Sequence, residues 1–260
     1  MNEMKFPTIL GIAIVLVGIF DGVVFVKNKQ IFKVGAVGEI KPKNIRVSNI
    51  DSDSFTVSWT TDKKTIGFVR FGKNDFATNS SAIDSFDKPE YVHHVIIRSL
   101  KPETKYFFKI NSDGKDFDND GANWQTNTAK YIGDKPLSNL ISGKVIKPSG
   151  LPIESAIIYV TVGSGSLMST KVETGGNWII NISEAKTKTL DGYVGIEETT
   201  TPIEIFIQAG TAGVASVQAY PISARPVPPI MLGQNLNLDN LAPTGVSDVP
   251  EAEIYLPLQN

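Results

Sequence analysis

Three acidic residues followed by a glycine are the clearest candidate for chemistry in this sequence. They lie in the segment DFDNDG, residues 116–121. Carboxylates at the first, third and fifth positions with glycine at the sixth are how a calcium-binding loop begins, because hard oxygen ligands must converge while the chain turns sharply. A helix-loop-helix calcium site would also carry glutamate at the twelfth position, where this chain has Asn127. The segment therefore predicts either a weak calcium site at Asp116, Asp118 and Asp120 or an acidic hairpin loop rich in turn residues.

The two histidines of the chain, His93 and His94, are adjacent. Neighbouring residues on a β-strand point to opposite faces, so the two rings cannot bind one metal ion with ordinary geometry. We expect one histidine at the edge of a core and the other on the surface. A metal site or a pH-dependent role is the alternative.

Other catalytic groups are missing from the sequence. There is no cysteine, which excludes disulfides, thiol catalysis and cysteine-based metal sites. The loop GSGS at residues 163–166 has no Lys-Ser or Lys-Thr pair to close it and is not a phosphate loop. No Gly-x-Ser-x-Gly motif occurs. The net charge of −2 gives no electrostatic footprint for nucleic acid. We therefore expect a protein that is not an enzyme, has no cofactor beyond weak calcium and binds no nucleic acid.

These residues must be positioned by β-strands. Apolar and polar residues alternate in short segments separated by turn residues, and no helical window of useful length follows the N-terminal run. In residues 44–130 the predicted strands are Ile45–Val47, Ser54–Thr60, Ile66–Phe71, Tyr91–Ile97, Lys105–Asn111 and Asn123–Thr128. This pattern is typical of a β-sandwich.

Three motifs in this region resemble a fibronectin type III domain. They are PKNIRV at 42–47, FTVSWTT at 55–61 and LKPETKY at 100–106. The resemblance implies that Trp59 is the buried aromatic residue of the second strand and that Tyr106 forms a tyrosine corner.

The segment VRFG at 69–72 and the histidine pair are similar to the N-terminal module of purple acid phosphatases. The Asp-x-His and Gly-Asp-x-Gly metal motifs of the enzymatic part of that family are absent from this sequence. The resemblance thus implies a related module without the metal chemistry.

A short linker at residues 131–138 precedes a second β-rich domain, residues 139–222. Its predicted strands are Leu140–Lys147, Ile157–Val162, Ser169–Glu173, Asn177–Ile182, Ile203–Gln208 and Ala215–Tyr220. The segments SGKV at 142–145, GLPIESAIIYV at 150–160 and TGGNW at 174–178 resemble a carboxypeptidase regulatory-like, or prealbumin-like, sandwich. That resemblance implies a spacer or binding module with no catalytic residues.

The apolar run Phe6–Val26 has the length of a membrane-spanning helix. Its 21 residues would reach about 32 Å as a helix, and 14 of them are Leu, Ile, Val or Phe. Asp21 opposes insertion by at most about 3 kcal/mol, less than the apolar residues contribute. We expect an uncleaved membrane anchor over residues 1–26. A cleaved signal, a buried core helix and a pilin-like start are the alternatives.

The side of the membrane follows from two conflicting arguments. The linker at residues 27–43 carries Lys27, Lys29 and Lys33, whereas Lys5 is the only lysine before the apolar run. This charge distribution would leave the following domains in the cytoplasm. Long domains translocate regardless of charge, however, and these domain types are usually displayed outside. We expect the β-domains to be extracellular.

From residue 223 to residue 260 the sequence predicts a proline-rich, largely extended tail. Within it, Ile254, Leu256 and Leu258 alternate as in a strand that could add to a neighbour's sheet edge, although Pro257 weakens that pattern.

The fold class expected from the sequence is mainly β, with two tandem immunoglobulin-like or fibronectin-type β-sandwiches after one N-terminal transmembrane α-helix. Its function would be display at the cell surface, for adhesion, for binding a protein or glycan partner, or for spacing within an envelope. One alternative is a filament subunit that forms a homopolymer through its N-terminal helix. Another is a phosphatase-related hydrolase, which only the family resemblance suggests.

Overall fold

The computed structural model describes residues 39–239. The predicted anchor Phe6–Val26, most of the linker behind it and the alternating segment at 254–258 lie outside the described residues. Within residues 39–239, no helix has both the length and the apolar character needed to cross a membrane.

The first sandwich is built from two antiparallel sheets. One sheet has the order β1-β2-β5, and the other has the order β4-β3-β6-β7 with β8 also pairing with β6. The strands are β1 (Lys43–Ser48), β2 (Phe55–Thr65), β3 (Gly67–Gly72), β4 (Ser80–Ile83), β5 (Glu90–Ile97), β6 (Lys105–Ser112), β7 (Lys115–Phe117) and β8 (Trp124–Asn127). Strands β4 and β7 are absent from the sequence-based prediction, because both are short and mostly exposed.

Alternate side chains of β2 and β6 meet in the core of the first sandwich, as the alternation predicts. All six are buried: Phe55, Val57, Trp59, Tyr106, Phe108 and Ile110. The hydroxyl of Tyr106 accepts a hydrogen bond from the backbone N–H of Lys101 at 3.0 Å. This bond closes the predicted tyrosine corner and fixes the turn into β6.

The second sandwich pairs a five-stranded sheet, β11-β10-β13-β14-β16, with a three-stranded sheet, β12-β9-β15. Its strands are β9 (Leu140–Ile146), β10 (Ile157–Val162), β11 (Met168–Lys171), β12 (Asn177–Asn181), β13 (Ile203–Gln208), β14 (Val214–Ala219), β15 (Ile230–Met231) and β16 (Asn235–Asn237). Single turns of 3-10 helix occur at Thr174–Gly176, Ile182–Glu184, Gly210–Ala212 and Pro221–Ser223.

The proline-rich segment after residue 222 belongs to the second sandwich, where the sequence predicts an extended tail. Strand β15 pairs in parallel with β9, and β16 pairs in parallel with β14. Ala224 and Val227 lie between prolines, and Ile230 and Leu232 follow Pro229, the last proline of the run; all four are buried in the core. Strands β15 and β16 both come after Pro229 and have only two and three residues, so the sequence has too short an alternation to reveal them. Residues 240–260 lie outside the described part.

A glycine lies against the buried tryptophan in each sandwich. A Cβ atom on Gly67 would come 2.5 Å from Cζ2 of Trp59, and one on Gly143 would come 2.7 Å from Cζ2 of Trp178. Both tryptophans are at most 2% exposed, so neither ring has room to move away.

Alanine at either glycine should therefore destabilise its sandwich. We expect Gly67→Ala and Gly143→Ala each to lower the free energy of unfolding by about 1–3 kcal/mol through overpacking. Urea unfolding of the purified 39–239 region measures this. The matched control is Gly195→Ala, where a Cβ has open space and the backbone is unstrained, with an effect within about 0.5 kcal/mol. Equal effects at all three positions would contradict the packing argument.

Candidate functional site

The acidic loop that predicts calcium binding is held by hydrogen bonds and by basic side chains. Asp116 lies on β7, where its carboxylate accepts a hydrogen bond from the Asn111 amide at 2.6 Å. Its other oxygen is 3.5 Å from Nε of Arg70 on β3, which lies on the far side of β6 in the same sheet. The first predicted ligand therefore faces a cation across the sheet.

Asp118 continues this pattern, whereas Asp120 makes no side-chain hydrogen bond or ion pair within residues 39–239. One oxygen of Asp118 accepts the backbone N–H of Gly121 at 2.9 Å, and the other is 3.8 Å from Nζ of Lys109. Asp120 occupies a left-handed turn position with φ of 52°. Across residues 39–239, no three His, Cys, Asp or Glu side chains are grouped so that they could hold a metal ion. Calcium binding at this loop stays a prediction, which calorimetric titration against Asp118→Asn would decide.

His93 lies in the first sandwich within a chain of polar side chains. Its Nδ1 is 2.7 Å from a carboxylate oxygen of Asp84, and its Nε2 is 3.0 Å from the hydroxyl of Thr65. The ring stacks on Trp59 with the centroids 4.7 Å apart. An acid, an imidazole and a hydroxyl in this order are also the parts of a nucleophilic triad. Both His93 and Thr65 are fully buried, so no substrate reaches the hydroxyl and the chain acts as a structural brace.

His94 points away from that core, so the prediction of opposite faces is confirmed. The prediction that one histidine is on the surface is wrong, because His94 is only 3% exposed. The second sandwich covers it, and its Nε2 is 2.9 Å from the hydroxyl of Ser169 on β11. Its Nδ1 is buried and has no partner in the described part of the chain. Burial, which Asp84 opposes and Lys171 reinforces, lowers the pKa of His94 to about 4.

Ser169 is the centre of a polar seam between the two sandwiches. Its hydroxyl also lies 2.7 Å from the hydroxyl of Ser48 on β1. The side chain of Asn49 donates to the backbone oxygen of Ser169 and accepts from its backbone N–H, each at 2.8 Å. The Asn49 side chain thus donates and accepts as the backbone of a paired strand would. These bonds hold Ser169 of β11 next to the end of β1.

A second part of the seam is aromatic. The hydroxyls of Ser58 on β2 and Tyr159 on β10 share a hydrogen bond of 2.8 Å. The guanidinium of Arg46 lies 4.8 Å from the ring centre of Tyr159 and 5.0 Å from that of Phe206. Burial raises the pKa of the Tyr159 hydroxyl, so it stays a neutral partner for Ser58. The outer face of the β1-β2-β5 sheet thus packs against the outer face of the five-stranded sheet.

A charged cleft of about 220 Å3 lies at one end of this interface. Nζ of Lys186 is 3.1 Å from a carboxylate oxygen of Asp51, and its side chain is only 4% exposed. Lys135 pairs with Glu184 at 2.6 Å beside it. Burial would raise the pKa of Asp51, but the Ser52 N–H and the Lys186 ammonium outweigh burial and hold that pKa below its usual range. The cleft is a balanced set of ion pairs that ties the first sandwich to the second.

The seam is the site that sequence reasoning missed. Serine and threonine on the outward positions of β1 and β2 are typical of solvated faces, and Ser48, Thr56 and Ser58 are all nearly inaccessible. At the opposite end of the interface, a Cβ on Gly210 would come 2.6 Å from Cβ of Tyr91, so the two sandwiches approach too closely there for a side chain. The polar pattern alone could not distinguish this buried face from an exposed one.

Acid should weaken the folded state through His94. Its folded pKa is about 4 against the ordinary 6.5, so between these values the unfolded chain binds more protons. This contribution to stability is complete above pH 6.5 and is lost as the pH falls towards 4. We expect the free energy of unfolding to drop by about 2 kcal/mol between pH 7.5 and pH 5.

Urea unfolding at a series of pH values measures this loss, and His94→Gln is the control because its amide does not titrate. The control should change little over the same interval. A slope equal to that of the unsubstituted chain would assign the effect to other groups.

Removing the acidic partner of the buried lysine should also be costly. Asp51→Asn leaves the Lys186 ammonium without its closest carboxylate, and we expect about 3 kcal/mol of destabilisation. Asp53→Asn, at an exposed position two residues away, is the matched control and should stay within about 0.5 kcal/mol. Chemical unfolding of both variants measures the two changes in the free energy of unfolding. An equally small change in both would show that the ion pair between Asp51 and Lys186 does not contribute to stability.

Comparison with known proteins identifies the first sandwich. Residues 42–129, about a third of the chain, match the family model described as purple acid phosphatase, N-terminal domain. No curated protein has a matching sequence.

Several solved structures resemble this chain at low sequence identity and low TM-score. A two-domain fibronectin type III segment from chicken tenascin is 12% identical, with 69% of this chain and 98% of that chain covered and a TM-score of 0.24. The central fibronectin-III array of RIM-binding protein is 18% identical, with 68% and 60% covered and a TM-score of 0.24. A redesigned β-sandwich protein is 21% identical, with 35% and 95% covered and a TM-score of 0.27. By its family match and its two-sheet topology, the first sandwich is a fibronectin type III-like domain that matches the N-terminal domain of purple acid phosphatases.

Proposed function

We propose that this chain is a membrane-anchored, non-enzymatic cell-surface protein that displays two β-sandwiches as one rigid unit for adhesion or partner binding. The observation that carries the proposal is the buried seam around Ser169 and Tyr159. Hydrogen bonds and ring contacts join the sheets over their outer faces, so loops and edges of both sandwiches are presented in a fixed relation. A display protein gains from this rigidity, because less ordering entropy is lost when a partner binds.

The non-enzymatic part of the proposal is supported by where the polar clusters lie. The Asp84–His93–Thr65 chain has a catalytic order but is buried, and the charges of the cleft at Lys186 are paired with one another. In the loop at 116–121, Asp116 faces Arg70 and Asp118 faces Lys109. A hydrolase would need an accessible nucleophile or metal together with a base.

We further assign the second sandwich to the carboxypeptidase regulatory-like kind. Two parts of the resembling segments support this assignment. Trp178, which follows the glycine pair of the TGGNW segment, packs on Gly143 of the SGKV segment. The GLP segment turns through Gly150, at φ of 81°, and brings Ile153 back to donate its N–H to Val145. A spacer or binding role follows from this assignment.

The membrane anchor is supported by the length and apolar character of Phe6–Val26. The runner-up function is a filament subunit, which the acidic Asp21 inside that run favours because a charge there would be stabilised by a partner helix. Negative-stain microscopy of detergent-free membrane extracts separates the two. Sedimenting filaments favour the runner-up, and a protein that stays monomeric only in detergent favours the anchor.

Protease treatment of intact cells tests outward display. We expect external protease to remove an epitope tag inserted after Asp134, in the linker between the sandwiches, because long domains translocate despite the lysines behind the anchor. A cytoplasmic marker must stay intact in the same cells and be digested after lysis. Protection of the tag in intact cells would overturn the proposed location.

A further inference from the structure

The first sandwich covers only half of the outer face of the five-stranded sheet. Strands β10 and β11 carry Tyr159 and Ser169, which contact the first sandwich. Strands β13, β14 and β16 continue the same face beyond it. Arg46, lying over Tyr159 and Phe206, marks the boundary between the covered and the open half.

The open half presents two rows of side chains that cross the three strands in register. Strand pairing places Phe206 opposite Ser216 and Ser216 opposite Asn235, and in the next row Glu204 opposite Gln218 and Gln218 opposite Asn237. The intervening residues turn inward to the core. We call this surface, formed by Glu204, Phe206, Ser216, Gln218, Asn235 and Asn237, the amide ledge.

The amide ledge borders an open groove of about 470 Å3. Glu204, Gln218, Asn235 and Asn237 are exposed, and Phe206 is half-buried against Tyr159. Neighbouring strands lie about 4.8 Å apart, so each row presents a polar group at that interval across a flat surface. The groove is shallow and wide, which suits an extended chain better than a compact small molecule.

The chemistry of the ledge is that of neutral donors and acceptors. The side-chain oxygen of Asn235 accepts from the Ser216 hydroxyl at 2.8 Å, and that of Asn237 accepts from the N–H of Asp239 at 2.9 Å. These bonds orient both amides and leave their NH2 groups to donate outward. Gln218, between them, makes no side-chain hydrogen bond within residues 39–239, so it offers both a donor and an acceptor.

Charge narrows the class of ligand. The ledge carries one carboxylate, Glu204, and no basic residue, while the single guanidinium at its boundary, Arg46, has no carboxylate within salt-bridge distance in the described part of the chain. One carboxylate on the ledge and one guanidinium beside Phe206 favour neither a polyanion nor a polycation. A ligand rich in hydroxyls, each able to donate and accept, matches amides that do the same. Apolar C–H groups of such a ligand would contact the part of the Phe206 ring that Arg46 and Tyr159 leave exposed.

We propose that the amide ledge binds a neutral polysaccharide, so that the displayed unit attaches to surface glycan. This inference rests on the proposed display function and names its partner class. The sites of contact are Gln218 and Asn237 in the row with Glu204, with the exposed part of Phe206 as the apolar contact.

Affinity electrophoresis of the full-length protein, purified in non-ionic detergent, in native gels containing soluble glucan, mannan, galactan or xylan tests the proposal. We expect at least one of these neutral polysaccharides to retard the protein, and polygalacturonate to retard it less. The double variant Gln218→Ala with Asn237→Ala should raise the dissociation constant by about tenfold or more, through the loss of two or more hydrogen bonds.

The matched control is Gln125→Ala with Asn127→Ala, which removes two exposed strand amides from β8 of the first sandwich. Loss of binding in the ledge variant with retention in this control, at equal unfolding stability of both double variants, supports the ledge. No retardation by any neutral polysaccharide, or equal binding by the two double variants, overturns it. A negative result here with a positive result in protease treatment of intact cells would refute the ledge and leave surface display standing.

Discussion

The structure depends on burying polar side chains between two β-sheets. Serine, asparagine, histidine and tyrosine lose their water when the sandwiches meet, and each unsatisfied group would cost about 1–3 kcal/mol. The bonds around Ser169 and the pair formed by Ser58 and Tyr159 recover that cost for these groups, while Nδ1 of His94 has no partner within residues 39–239. Since such bonds require a particular distance and angle, the seam holds one relative placement of the sheets where an apolar seam would permit several.

This placement decides which surfaces remain for function. It covers β10 and β11 and leaves β13, β14 and β16 open, although all five strands belong to one sheet. It also removes from the solvent a polar chain, Asp84–His93–Thr65, whose order suggests catalysis. Because the Asp84–His93–Thr65 chain has no access to solvent, it acts as a structural brace. The open half of the sheet face is exposed to solvent and can therefore serve as a binding site.

Much of the fold is predictable from the sequence because its signals are local. Alternation in β2 and β6 determines which side chains enter the first core, and the LKPETKY segment forms its corner through Tyr106. The glycines at 67 and 143 carry no such signal, since only the folded chain brings a tryptophan ring against each of them. Strands β15 and β16 carry no local signal either, because they have only two and three residues and each pairs with a strand that is not its neighbour along the chain.

The sequence by itself determined two β-sandwiches, a missing set of catalytic motifs and a candidate anchor, because periodicity, motif spacing and apolar length are properties of short segments. Tertiary structure alone decided that His94 is buried, that Lys186 is paired with Asp51 and that half of one sheet face stays open. The physical reason is that a polar residue on a strand has the same pattern whether it faces water or another polar face. The burial, the pKa and the function of such a residue depend on whether another part of the folded chain covers it.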